Sequence, residues 1–263
     1  MNLAGAHVLL TGATGGLGQA IARGLHARGA RLTLTGRRVD VLEPLAEEIG
    51  ARAIEADLAD PSAPARLLEE ADEVDVLVAN AGLPGSGRLN SFSVEEIDRA
   101  LTVNLRAPML LAHTLSEQMV ARGRGHLVFM SSLNGKAAPP GTAVYSATKF
   151  GLRGFALALR EDLASKNVGV SVILPGFIRD AGMFHEAGAK LPPFVGTKSP
   201  DDVVRAVIKA IEQNRAELDV APLPLRAGTV LSSLAPGPIG SIQRKLGAVA
   251  TSDAIGRGQT EKR

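Results

Sequence analysis

The chain has 263 residues, a formal net charge of +2, 45% hydrophobic and 21% charged residues, which suits one large α/β domain and lies far from the composition of disorder. It contains no cysteine, which excludes disulfides, thiolate metal sites and cysteine nucleophiles, and no metal is expected. No dense Lys/Arg block with interleaved aromatics argues for nucleic acid, and no apolar run reaches the roughly 18 residues of a spanning helix, so any membrane contact is expected to be peripheral.

The amino terminus, MNLAGAHVLLTGATGG, lacks the basic start and apolar run of a signal peptide, and a cytoplasmic location is expected. From there, β-type runs begin at His7 (HVLLT), Arg31 (RLTLT), Ala51 (ARAIEA), Val74 (VDVLVAN), His126 (HLVFMSS) and Gly169 (GVSVILP). They alternate with helical patterns over 17–28, 61–71, 94–122 and 143–166, the pattern of a parallel sheet covered on both faces. A doubly wound, Rossmann-like domain over 1–221 is predicted, with its ligand at the carboxyl ends of the strands. An irregular stretch over 177–199 follows the last long strand, then a helix over 201–214 and a short strand, ELDVA. The tail over 222–263 is expected to pack on the domain or on a partner subunit, with docking in a membrane interface as the alternative. Its prolines at 236 and 238 split it into two short helix-prone pieces, and the polar end GRGQTEKR is expected to fray.

Thr11-Gly12-Ala13-Thr14-Gly15-Gly16-Leu17-Gly18 joins the first strand to the first helix. A turn this tight needs backbone without Cβ atoms, and the helix start offers unpaired N–H groups to a pyrophosphate. At the end of the second strand, where NAD-binding domains usually carry an acidic residue for the ribose, stand Gly36, Arg37 and Arg38. A guanidinium binds a 2′-phosphate that a carboxylate would repel, so NADP(H) is favoured over NAD(H). Asp57 and Leu58 are candidates to meet the adenine, although Asp57 could equally cap the next turn. Asn80, Ala81 and Gly82 are placed to bring backbone close to the cofactor.

Tyr145, the one tyrosine of the chain, lies in YSATK with Lys149 four residues on, the same face of a helix. The ammonium would favour phenolate and lower a phenol pKa that starts near ~10. Ser132 ends the fifth strand at the same sheet edge, while its neighbour Ser131 points the other way if the alternation persists.

These ordered motifs resemble the short-chain dehydrogenase/reductase family over roughly 6–220: the glycine turn, Asn80-Ala-Gly82, Asn104 in VNLRAP, Ser132, Tyr145-x-x-x-Lys149 and Pro175-Gly176. The resemblance implies that Tyr145 exchanges a proton with the substrate oxygen, Ser132 orients that oxygen, and Lys149 binds the nicotinamide ribose and depresses the tyrosine pKa. It also implies that Asn104 holds a water linking Lys149 to solvent, and that Pro175, Gly176 and Ile178 meet the cofactor. Two positions depart from the family pattern. Ala79 stands before Asn80 where many relatives have a second asparagine, and Asp180 takes the place of the usual threonine in Pro175-Gly-Phe-Ile-Arg-Asp180, which puts carboxamide anchoring by that residue in doubt.

The expected reaction is hydride transfer between NADP(H) and a carbonyl or secondary alcohol. The segment 177–199, with Phe177, Met183, Phe184, Leu191 and Phe194, is expected to form a lid over an apolar small-molecule substrate, hinged at glycines 182, 188 and 196. A homodimer is expected. A non-catalytic dinucleotide sensor or a peripheral membrane-associated protein on the same fold are the alternatives.

Overall fold

The alternating apolar runs and helical patterns become β1 (His7–Thr11), α1 (Gly16–His26), β2 (Arg31–Gly36), α2 (Val39–Glu48), β3 (Arg52–Glu55), α3 (Ala63–Glu70), β4 (Val76–Ala79), α4 (Val94–Leu101), α5 (Ala107–Arg122), β5 (Gly125–Met130), α6 (Ala143–Leu163) and β6 (Val168–Pro175). Then follow α7 (Gly182–Glu186), α8 (Pro200–Gln213), β7 (Glu217–Val220) and the tail helices α9 (Leu223–Leu234), α10 (Pro236–Lys245) and α11 (Ala248–Arg257). These assignments come from a computed structural model that describes residues 1–189, 191, 195–245 and 247–259.

The seven strands form one sheet in the order β3-β2-β1-β4-β5-β6-β7, and every pairing is parallel. Parallel strands need crossovers, and these crossovers cover both faces, so β1, β4, β5 and β6 are buried along their whole length. Side chains still alternate within those apolar runs. Val8 and Leu10 pack with Ile21 and Leu25 of α1 and Val207 of α8, while Leu9 faces the layer holding Leu111 of α5 and Leu152 of α6. The fold is thus a single doubly wound α/β domain, as the sequence pattern predicts.

Three departures have local causes. The helix α2 was not among the segments expected from sequence: Pro44 sits inside it, and a proline there removes one backbone bond and reads as a break. The long helical pattern over 94–122 is interrupted by a π turn over Thr102–Arg106, which inserts one wide turn between α4 and α5. Of the end expected to fray, α11 runs to Arg257 and Gln259 is buried with its Nε2 donating to the Met183 carbonyl at 3.1 Å, while 260–263 lie outside the described residues.

Candidate active site

β1 lies between β2 and β4, so the crossovers leaving its two neighbours run to opposite sides of the sheet and the carboxyl ends separate there. A cleft of about 690 Å³ opens at that edge. Its floor at the switch point is held by Thr11 and Asn80. The Thr11 hydroxyl oxygen accepts from the backbone N–H groups of Asn80 (3.1 Å) and Ala81 (3.0 Å), and Asn80 Nδ2 donates to the Thr11 and Gly12 carbonyls at 3.1 and 3.2 Å. Asn80 is therefore a brace for the glycine turn, a role its position after a strand did not reveal.

The turn delivers the start of α1 into the cleft. Gly15 is the cap residue and has no side chain to satisfy the first N–H groups, and the first turn carries no acidic residue. Those donors and the positive end of the helix dipole face a cleft lined by Gly15, Gly16, Leu17 and Gly18. A Cβ at Gly18 would collide with the Gly12 carbonyl oxygen and stand 2.8 Å from Ala13 Cα, so only glycine lets the helix lie this close to the turn.

On the adenosine side expected from sequence, Thr14, Arg37, Arg38, Asp57 and Leu58 all line the same cleft. They are not equivalent. Arg38 donates to the Thr14 carbonyl across the glycine turn. Arg37 is exposed, its Nη1 3.9 Å from Asp57 Oδ2, and Arg99 reaches the same carboxylate at 3.5 Å. Asp57 also accepts from Ala59 N–H at 3.0 Å, the local turn-capping role foreseen as its alternative.

At the other end of the cleft, Ser132, Tyr145 and Lys149 converge from β5's end and α6. Tyr145 and Ser132 share a side-chain hydrogen bond, and Lys149 Nζ stands 5.6 Å from the tyrosine ring centre. Ser132 Oγ also accepts from Asn134 N–H at 3.1 Å. Ser131 turns the other way, as alternation requires, and its hydroxyl donates to the Lys149 carbonyl at 2.9 Å. Lys149 is buried, and its ammonium donates to the Met130 carbonyl at 2.9 Å. Gly82 leaves space before it, since a Cβ there would lie 3.7 Å from Lys149 Nζ and 3.5 Å from Asn104 Oδ1.

Burial decides the protonation of this pair. It pushes the Tyr145 phenol up to about 12, outweighing the lowering by Ser132, and brings Lys149 down to about 8. The phenol is therefore raised rather than depressed, contrary to the expectation from sequence, because removing phenolate from water outweighs the hydrogen bond from Ser132. At neutral pH the site holds a protonated phenol beside a mostly charged ammonium.

Asn104 is inside the π turn and 1% exposed. Its Oδ1 accepts from Leu83 N–H at 2.6 Å and its Nδ2 donates to the Leu83 carbonyl at 2.9 Å, so it ties the loop that follows Gly82 to the turn between α4 and α5. Two positioning glycines escaped notice in the sequence. A Cβ at Gly85 would lie 2.9 Å from Tyr145 N, and one at Gly135 would lie 2.8 Å from the Lys149 carbonyl oxygen; both loops press on α6 at Tyr145 and Lys149. No periodicity marks such contacts.

Pro175, Gly176 and Ile178 line the cleft, whereas Asp180 does not: it is exposed, at φ 68°, with its carboxylate 3.4 Å from Arg179 Nε. Phe177 and Phe184 stack edge to face at 5.0 Å and line the cleft together with Met183 and Leu191; Phe194 lies outside the described residues. The segment is pinned at its neck, where Lys198 N–H donates to Phe177 O at 3.0 Å and Arg179 N–H to Lys198 O at 2.9 Å. Tail residues complete the wall: Leu225, Thr229, Ser252, Ile255 and Gln259 line the same cleft.

Residues 6–192 match the short chain dehydrogenase family, and the chain belongs to that family of NAD(P)(H)-binding oxidoreductases. It is 34% identical over 246 residues to the ketoacyl reductase HetN of a Nostoc species, covering 90% of this chain and 86% of that one. To dehydrogenase/reductase SDR family member 7B of Bos taurus it is 33% identical over 253 residues, covering 88% and 78%. Among solved structures, a short-chain dehydrogenase from Sphingobium yanoikuyae in complex with NADPH superposes with a TM-score of 0.77 at 28% identity, covering 90% of this chain and 95% of that one.

Replacing Gly18 with alanine should lower stability by about 1–3 kcal/mol through the forced backbone shift and weaken dinucleotide binding at least about tenfold. Gly154→Ala, on α6 with nothing within 4 Å of the new Cβ, serves as the control and should be neutral or slightly stabilising. Thermal melts and fluorescence titration read both; a Gly18→Ala protein that melts and binds like the parent would show that the turn tolerates a wider geometry.

Proposed function

We propose that the protein is an NADP(H)-dependent reductase of carbonyl compounds, interconverting a ketone or aldehyde with its alcohol. The observation that carries this reading is the convergence of Ser132, Tyr145 and Lys149 at one end of a cleft whose other end combines a bare helix start with Arg37 and Arg38. The chain fits a dinucleotide: Gly15, Gly16, Leu17 and Gly18 would hold the pyrophosphate, Arg37 or Arg38 a 2′-phosphate, and Lys149 the ribose beside the nicotinamide. Backbone of Asn80, Ala81, Gly82, Pro175, Gly176 and Ile178 would line the remainder. When bound, that cofactor supplies the hydride that reduces the carbonyl carbon.

The residues of the chain do the rest. Ser132 Oγ hydrogen-bonds the carbonyl oxygen, and the Tyr145 phenol, protonated at neutral pH, gives its proton to that oxygen as the alcohol forms. Charged Lys149 then stabilises the phenolate until solvent returns the proton. Asn104 keeps the Leu83 loop, and hence the space before Lys149, in place. The relative named a ketoacyl reductase supports the direction, and the neighbour solved with NADPH supports the cofactor.

Phe177, Met183, Phe184, Leu191 and Leu225 make the substrate side of the cleft apolar. In this reading 177–199 acts as a lid and the tail over 222–263 as an outer wall of the one catalytic domain. Exposed Leu101, Met109 and Phe150 on α4, α5 and α6 support pairing through those helices as a homodimer.

Tyr145→Phe removes only the proton-carrying oxygen, so turnover should fall by about 10²–10⁴ while melting temperature and NADPH affinity hold. Near-parental kcat, measured where chemistry limits the rate, would remove Tyr145 from the reaction. For the cofactor, Arg37→Ala and Arg38→Ala should together weaken NADPH by at least about tenfold, because a charge-assisted contact contributes ~1.5–3 kcal/mol, and leave NADH little changed. Equal losses for both dinucleotides would show that the arginines do not read the 2′-phosphate.

A further inference from the structure

The tail helix α9 has two unlike faces. Inward, Leu225 and Thr229 line the cleft, and the Ser233 hydroxyl donates to the Lys136 carbonyl at 2.6 Å. Outward, Leu223, Val230 and Leu234 fall on one stripe at i, i+7 and i+11, with Leu231 beside it. These four are between 50% and 79% exposed, and Ile242 on α10 adds another apolar side chain at 51%. A face of this kind is not what water-exposed helices present by default.

The charges that α9 and α10 themselves carry have one sign. From 220 to 252 the sequence has no Asp or Glu, while it has Arg226, Arg244 and Lys245. Arg226 is 3.6 Å from Asp219, so its charge is met within the fold. Arg244 and Lys245 are exposed at the end of α10, beyond Ile242, and have no carboxylate partner among the described residues; Arg244 donates only to Ser241 Oγ, at 2.9 Å.

We propose that the outer face of α9, with the cationic end of α10, docks reversibly on an anionic phospholipid surface. The apolar stripe enters the acyl boundary, and Arg244 and Lys245 meet lipid phosphates. A second copy is the poorer occupant, since a self-contact would set a cationic patch without carboxylates against itself. No helix among the described residues is long and apolar enough to cross a membrane, so the contact is one of lying on the surface. The same helix thus carries an apolar cleft wall on its inner face and the docking stripe on its outer face.

The test measures co-sedimentation of the full chain with vesicles, with no turnover involved, so it stands or falls separately from the proposed reaction. The chain should sediment with vesicles of equal parts phosphatidylglycerol and phosphatidylcholine, much less with phosphatidylcholine alone, and less as salt screens the contact. Leu231→Glu with Leu234→Glu should lower the partition at least about tenfold, and Arg244→Glu with Lys245→Glu at least about tenfold on the anionic vesicles, each with an unchanged melting temperature. The proposal is overturned if the parent chain stays in the supernatant with anionic vesicles, or if both double variants sediment as the parent does. It is equally overturned if Leu231→Glu with Leu234→Glu dissociates an oligomer in lipid-free buffer, which would assign the face to a second copy.

Discussion

The bond set between Thr11 and the segment after β4 is the constraint on which the rest of the site depends. One hydroxyl accepts from two backbone N–H groups, and one carboxamide returns to two carbonyls, at the point where the strand order reverses. Gly12 O also accepts from Gly15 N–H at 3.2 Å and Asn80 N–H is shared with Val78 O at 3.0 Å, so the cross-links add to bonds each segment already makes within itself. The bonds therefore fix the glycine turn relative to β4. From that junction the start of α1 is aimed into the cleft on one side, and Gly82, leading to the loop that Asn104 holds, opens the space before Lys149 on the other.

The second half of the site is built by pressure rather than by bonding. Gly85 and Gly135 allow two loops to lie against the backbone of α6 at Tyr145 and Lys149, and Ser131 ties β5's end to the same helix. The result buries a phenol and an ammonium side by side. Burial opposes charge on both, which keeps the phenol protonated and lowers the ammonium to about 8, the pair of states a proton donor to a carbonyl oxygen needs. In the proposed reaction, proton transfer and cofactor binding would both follow from this one geometry.

Much of this was legible in the sequence because it is written in short-range patterns. β1 was readable to the residue, since a buried parallel strand is a continuous apolar run ending at a glycine turn. Tyr145 and Lys149 announce themselves by helical spacing, and Ser132 by its place at a strand's end. What stayed hidden depends on contacts between distant segments. Asn80 turned inward to brace the turn, Asp180 turned outward from the cleft, and the direction of the Tyr145 shift follows from burial that no local motif encodes. The tail was least readable: its small residues pack closely, as where a Cβ on Gly256 would lie 3.0 Å from Ser86 O, and such fits leave no periodic signal.

The account joins a cofactor end and a proton-transfer end in one cleft, and isotope transfer tests that junction directly. The purified chain is incubated with a panel of ketones and NADPH carrying deuterium at the nicotinamide C4, and the alcohol products are analysed by mass spectrometry. The account predicts a product with one deuterium on the carbinol carbon and a hydroxyl proton drawn from solvent. NADPH bound at saturation, with no label passed to any carbonyl carbon, would contradict it.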